Sequence, residues 1–176
     1  MPSPSNPYRV NVRDLMHRSG EMREKQLTFD VPEQLGAAAL IVPEATELEL
    51  DLRLEGLHDG ILVSGDVRTT AFGECVRCLD PVVVPVEVEF QELFAYSQDE
   101  AYDYLVHDDH VDCEPVVRDA VVLSLPFQPV CREDCPGLDP ETGEGLADTG
   151  PREPCEVIDP RWAVLEGLAL ENDDKG

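Results

Sequence analysis

Residues 47–55, Glu-Leu-Glu-Leu-Asp-Leu-Arg-Leu-Glu, decide the fold because apolar and charged side chains alternate along them without a break. The leucines fall on one face of an extended chain and the charged residues on the other, a pattern typical of an antiparallel strand with one buried face. The pair Asp59-Gly60 follows, and this pair favours a two-residue type I′ turn. We therefore predict a hairpin that turns at Asp59-Gly60 and places Leu52 opposite Val67.

Other segments extend this hairpin into a small sheet with helices. Residues 23–31 alternate more weakly and predict a strand before the hairpin. Residues 81–90 carry valine at alternate positions and predict a strand after it, in which Pro85 requires an edge or a bulge. Helices are expected over 11–18, over 114–125 and from 159 onward. The predicted fold class is therefore α+β, an antiparallel β-meander with a few short helices and acidic loops.

The chain is strongly acidic. Of its 176 residues, 38 are Asp or Glu and 13 are Lys or Arg, which gives a formal charge of −25 at pH 7. Residues 1–25 carry a net charge of +2, so the remainder carries −27. A field of that sign repels phosphate and argues against nucleic-acid binding through a broad basic face. The acidic surface serves either solubility alone or the binding of a basic partner.

The predicted domain organisation is simple. Residues 1–8, rich in Pro and Ser, are predicted to form a disordered leader, 9–170 a single domain and 171–176 a flexible tail. Within the domain, 97–114 and 132–158 are predicted to be acidic loops with little regular structure. The sequence has no apolar run of about 18 residues that would predict a transmembrane helix, and no apolar stretch typical of a secretory signal. We therefore expect a cytoplasmic protein without a membrane partner.

Two close pairs of cysteines are the candidate site. Cys75 and Cys78 are separated by two residues at the turn before the third meander strand, and Cys131 and Cys135 by three residues after the predicted helix. Four thiolates in two pairs suit a tetrahedral zinc ion, which would clamp the sheet to a distant loop. The alternative is that these cysteines only occupy turns.

The remaining sequence contains no motif that indicates a catalytic site. Cys113 and Cys155 stand apart from the two pairs, and we expect neither to be a ligand. The sequence has no phosphate-binding loop, no glycine-rich dinucleotide turn and no Gly-x-Ser-x-Gly motif. We therefore expect a protein that is not an enzyme, with no catalytic residues and no small-molecule substrate. A redox dithiol formed by Cys75 and Cys78 is the open alternative.

An ordered set of short motifs resembles the YceD family of bacterial and plastid proteins, which is associated with accumulation of the large-subunit ribosomal RNA. These motifs are Cys75-Val-Arg-Cys-Leu-Asp-Pro81, Cys131-Arg-Glu-Asp-Cys135 and Asp159-Pro-Arg-Trp-Ala-Val-Leu165. Many members of the family carry two more cysteines after the second pair, where this chain has Asp139 and Thr142. The resemblance implies a non-enzymatic role in assembly of the large ribosomal subunit.

Two mechanisms are compatible with that role. In the first, the acidic surface binds a basic ribosomal protein. In the second, a local basic patch contacts large-subunit ribosomal RNA; its residues would be Arg9, Arg13, Arg18, Arg23 and Lys25, joined by Arg77. The net charge favours the first mechanism. A cysteine-based redox or metal-binding regulatory protein is the alternative function.

Overall fold

The computed structural model describes residues 6–37, 39–97, 103–140 and 142–146. The chain divides into two compact units, Met1–Cys135 and Pro136–Gly176. In the second unit, Leu138 and Gly145 form an antiparallel bridge around a tight turn. The predicted helix after residue 159 and the tail 171–176 lie outside the described residues, as does Cys155. The prediction of a single domain over 9–170 stays a prediction.

The described residues of the first unit form a six-stranded mixed sheet, a two-stranded ribbon and one helix. The sheet strands are β2 (Met22–Asp30), β3 (Leu40–Ile41), β4 (Glu47–Gly56), β5 (Gly60–Glu74), β6 (Pro81–Ala95) and β7 (Tyr104–Leu105). They are arranged in the order β2-β4-β5-β6-β7, with β3 also pairing with β5. All pairs are antiparallel except β6 with β7. The ribbon pairs β1 (Arg9–Asn11) with β8 (His110–Asp112), and the helix α1 spans Glu114–Ser124. The predicted α+β class with an antiparallel meander is confirmed.

The predicted alternation along β4 is confirmed by burial. Leu48, Leu50, Leu52 and Leu54 are at most 3% exposed, and they pack with Ile61, Val63 and Val67 of β5. Val116, Val117 and Val121 of α1 complete this core. Pro85 lies in β6, where the pairing with β5 continues without a bulge and β7 reaches only Phe94 and Ala95. The predicted edge position of Pro85 is therefore confirmed.

The predicted hairpin turn is wrong by one position. Leu57 N–H donates to Gly60 O at 2.8 Å, so the turn residues are His58 and Asp59, and Leu52 lies opposite Gly65 rather than Val67. Neither Asp59 nor Gly60 is among the described residues with positive φ, which a type I′ turn requires. Gly60 serves another purpose: a Cβ there would collide with the Phe94 carbonyl on β6. The shift is two residues in register, so the leucines keep their buried face.

The predicted helix over 11–18 is also wrong, although its apolar residues are buried as expected. Leu15 N–H and Met16 N–H both donate to Val12 O, at 2.9 and 3.1 Å, which makes a single turn. His17 then adopts φ 58°, a left-handed conformation that ends the turn. Val12 and Leu15 still lie in the core.

Part of the predicted acidic loop 97–114 is regular structure. Asp108 and Asp109 have φ values of 49° and 61° and form a two-residue turn, with His107 and His110 exchanging backbone hydrogen bonds at 2.9 Å. Aspartate tolerates this left-handed conformation better than most residues. The turn leads into β8, a strand that we did not predict because the segment is so acidic. Residues 98–102 are outside the described ranges.

The folded chain extends into the predicted leader. Asn6 Nδ2 donates to Asp112 Oδ2 at 2.9 Å, and Tyr8 is 2% exposed with its ring edge-on to Phe29. Residues 1–5 lie outside the described part. Within the described residues, no helix combines the length and apolar content needed to cross a membrane.

Candidate metal centre

The first cysteine pair lies in the tight turn that joins β5 to β6. Cys75 follows the last residue of β5, and its N–H donates to Asp80 O at 2.8 Å. Leu79 N–H donates back to Cys75 O at 2.9 Å, and Leu79 adopts φ 63° to close the turn. Cys75 is therefore buried at the sheet end, while Cys78 is half-buried.

The second pair lies in the loop after α1, and backbone contacts tie this loop to the first turn. Val76 N–H donates to Pro129 O at 2.9 Å. The Arg77 guanidinium donates from Nη1 to Glu133 O at 3.0 Å and to Cys135 O at 3.1 Å. These bonds hold the two loops against each other independently of the thiols.

All four predicted ligands are brought together. The four Sγ atoms of Cys75, Cys78, Cys131 and Cys135 lie within 4.8 Å of one another. Cys75 and Cys135 are separated by 3.8 Å between their sulfurs, and Cys78 and Cys131 by 3.6 Å. Such a cluster could hold a metal ion; Cys75 and Cys135 are buried, Cys78 is half-buried and Cys131 is exposed.

The peptide groups around Cys75 favour its thiolate. Burial of the thiol raises its pKa, because the charged form loses hydration. Backbone N–H groups aimed at the sulfur lower the pKa by more, to about 6; they belong to Arg77, Cys78 and Cys131. A thiolate that accepts several N–H bonds is a prepared metal ligand.

Cys113 is not part of this cluster, as the sequence predicted. It is buried at the N-terminus of α1, and burial, with the charge of Asp112, raises the pKa of its thiol to about 12. Asp139, which stands where many family members have cysteine, is 3% exposed in the second unit, and its Oδ1 accepts a hydrogen bond from Thr142 N–H at 3.1 Å. The group of side chains that could hold a metal ion consists of the four predicted cysteines among the described residues.

The predicted basic patch is partly neutralised by ion pairs. Three of its arginines contact carboxylates: Arg13 with Asp109 at 3.8 Å, Arg18 with Glu21 at 3.3 Å and Arg23 with Asp14 at 2.6 Å. Arg77, expected to join the patch, instead bonds the carbonyls of the cysteine loop. Sequence reasoning missed this role, although the position of Arg77 between two cysteines was a signal for it.

Comparison with known proteins places the chain in a family. The family model described as "Large ribosomal RNA subunit accumulation protein YceD" matches residues 63–169. An uncharacterised protein of Mycobacterium tuberculosis is 43% identical over 178 residues, which cover 96% of this chain and 85% of that protein. An uncharacterised protein of Mycobacterium leprae is 35% identical over 171 residues, covering 93% and 78%. The uncharacterised protein YlbN of Bacillus subtilis is 27% identical over 139 residues, covering 76% and 78%. No solved structure matches the chain. From the family model and these identities, together with the cysteine motifs, the chain belongs to the YceD family.

Proposed function

We propose that this chain is a non-enzymatic factor in the accumulation of large-subunit ribosomal RNA and that it acts by binding a basic ribosomal protein. The family match over residues 63–169 is the observation that carries the link to ribosomal RNA. The net charge of −25 supports a protein rather than an RNA as the direct partner. The pairing of Arg13, Arg18 and Arg23 with carboxylates supports the same choice, because each nearby carboxylate weakens the attraction of its arginine for a phosphate.

The cysteine cluster is proposed to hold a structural zinc ion. A tetrahedral site with Zn–S bonds near 2.3 Å has sulfur–sulfur edges of about 3.8 Å, and two edges of this cluster measure 3.6 and 3.8 Å. Four protein thiolates fill a tetrahedron, so the ion would have no open position for a substrate, which supports a non-catalytic role. Thiol ligands of this kind persist in a reducing compartment, and we place the protein in the cytoplasm.

Metal analysis tests the zinc assignment. Protein prepared without chelator should contain one equivalent of zinc by elemental analysis, and Cys75→Ser or Cys131→Ser should lower that content sharply. Cys113→Ser is the matched control, since Cys113 lies outside the cluster, and should retain the metal. Metal-free protein in which Cys75 and Cys78 form a disulfide under mild oxidants would instead support the redox alternative.

Co-purification tests the partner. Tagged protein recovered from cells, with RNA digested in half of the sample, should retain a basic ribosomal protein in both halves. Two variant sets of equal size separate the mechanisms: Arg13, Arg18 and Arg23 to Gln, and Asp103, Asp108 and Asp109 to Asn. We expect the aspartate set to slow association and the arginine set to leave it unchanged. Loss of ribosomal RNA with the arginine set alone would favour direct RNA binding.

A further inference from the structure

The six-stranded sheet has one buried face and one exposed face, and the exposed face concentrates charge. We call the latter the open face; it consists of the even-numbered residues of β2 and β5 and the odd-numbered residues of β4 and β6. It carries ten carboxylates and two arginines: Glu24, Asp30, Glu47, Glu49, Asp51, Glu55, Asp66, Glu74, Glu87 and Glu89, with Arg53 and Arg68. Each of these four strands contributes to this acidic surface.

Like charges on the open face lie directly opposite one another. Asp51 of β4 is opposite Asp66 of β5, which is opposite Glu89 of β6. Arg68 relieves part of this repulsion through Asp51 at 2.9 Å and Glu87 at 3.4 Å. Opposed like charges destabilise a sheet. A cationic partner bound along Asp51, Asp66 and Glu89, which we call the acidic row, would remove that repulsion.

One end of the open face is apolar and continues into the cysteine turn. Ile41, Phe72 and Val83 lie in one row across β3, β5 and β6, and Phe72 and Val83 are 40% and 60% exposed. Val76 and Leu79, the latter 59% exposed, line a shallow groove beside Cys75 together with Ile41 and Phe72. Val83 flanks this groove opposite Phe72. Large apolar side chains that remain exposed together mark a contact surface.

We propose that the open face docks a segment of a basic polypeptide, which seats apolar side chains in the groove and lays Lys or Arg side chains along the acidic row. This inference rests on the proposed function and assigns it a surface. The negative charge of the open face favours a basic polypeptide over the other candidate partners. A second copy of this chain would bring another −25 against the same face, and RNA would bring phosphates against ten carboxylates.

A matched pair of synthetic peptides tests the chemistry of the surface. One peptide carries a short block of Phe or Leu next to a block of Lys or Arg, and its control has the same charges with Ser at every apolar position. By fluorescence anisotropy, the first should bind the full chain about tenfold more tightly, because only it can bury apolar area in the groove. Equal affinities, or no binding of either peptide, would overturn the proposal.

Variants of exposed residues locate the site. Val83→Ser removes an apolar side chain that flanks the groove and should reduce the difference between the two peptides, whereas Leu123→Ser, on an 80% exposed residue of α1, should preserve it. Asp66→Asn should weaken both peptides and at the same time raise the melting temperature, which a merely misfolded variant would not do. Two results would contradict the assignment. One is that Leu123→Ser reduces the affinity difference between the peptides as much as Val83→Ser does. The other is that the protein binds duplex RNA tightly and that Asp66→Asn strengthens this binding.

The cellular experiment separates this inference from the proposed function. If Val83→Ser recovers the same basic ribosomal protein as the wild type, the surface is wrong and the function stands. If the wild type recovers none, the proposed function fails, whatever the peptides show. If Val83→Ser changes the sedimentation of the protein alone, the face is occupied by a second copy and the basic partner is excluded.

Discussion

The Arg77 side chain connects two loops that are remote in sequence. Its carbonyl partners, Glu133 and Cys135, lie 56 and 58 residues further along the chain. Hydrogen bonds from a charged donor stabilise a protein by about 1.5–3 kcal/mol. Because the guanidinium reaches carbonyl groups on the loop of Cys131 and Cys135, it holds this loop beside the turn of Cys75 and Cys78, where the four thiols could hold a metal ion.

Arg77→Met should therefore loosen the metal centre. We expect a lower melting temperature and faster release of metal to a coloured chelator, because the second cysteine loop loses two hydrogen bonds. Arg132→Met is the control, since Arg132 lies in the same loop but pairs only with the exposed Asp134 among the described contacts. Equal release rates for the two variants would show that Arg77 does not support the site.

The Tyr8 hydroxyl is a second informative residue, because it is buried without a hydrogen-bond partner among the described residues. Burial, with the nearby charge of Glu114, raises the pKa of Tyr8 to about 12. The neutral phenol therefore stabilises the folded state below the ordinary pKa near 10, and this contribution is lost as pH rises from 10 through about 12.

Tyr8→Phe should flatten this alkaline loss. At pH 7 the variant should match or exceed the wild type in free energy of unfolding, by up to about 1 kcal/mol, since it removes an unpaired polar group. Above pH 10 the gap should widen in favour of the variant. Urea titrations at several pH values give both numbers. A wild type and variant with parallel pH profiles would show that Tyr8 is accessible to water.

The two hairpin turns show how local signals act at the scale of elements. Asp59-Gly60 has the composition of a type I′ turn but is not one, whereas Asp108-Asp109 has positive φ at both positions. Gly60 is required for the approach of Phe94, a contact made by a strand that lies 34 residues further on. The requirement for glycine at position 60 therefore comes from the tertiary contact with Phe94 and not from the turn.

Glycine substitutions distinguish the two turns. Asp108→Gly should stabilise the fold by about 1 kcal/mol, because glycine adopts positive φ without strain and Asp108 has no ion pair among the described contacts. Asp59→Gly should destabilise it by a similar amount, because Asp59 has no such strain to relieve and glycine adds entropy to the unfolded chain. Chemical denaturation measures both. The same sign for both substitutions would contradict the assigned turn conformations.

The elements that the sequence predicted correctly are those with a strict local period. Leu48 to Leu54 and the valines of β6 alternate over enough residues to define a face whatever they pack against. The cysteine pairs were predictable because the spacing within each pair is short. Other features depend on pairing between segments that are distant in sequence, and no local pattern predicts them. They are the short strands β7 and β8 and the open-face row of Asp51, Asp66 and Glu89.

At the scale of the whole molecule, net charge and ion pairs act in opposite directions. A charge of −25 repels itself within one folded chain. The described ion pairs oppose this, but most have exposed partners, such as Arg13 and Asp109 with 80% and 44% exposure. Exposed pairs of this kind contribute about 0–1 kcal/mol each. We therefore expect repulsion to outweigh the pairs.

Salt should consequently stabilise the protein while weakening its binding to a basic partner. Raising NaCl from about 0.05 to about 0.5 M shortens the screening length severalfold and should raise the melting temperature by several degrees. The double variant Asp66→Asn, Glu89→Gln is the control: with part of the opposed charge removed, it should start with a higher melting temperature and gain less from salt. The same increase in NaCl should slow association with the basic peptide, because it screens the attraction as well. A melting temperature that falls with salt would show that the ion pairs dominate and that repulsion between carboxylates does not limit the stability of this protein.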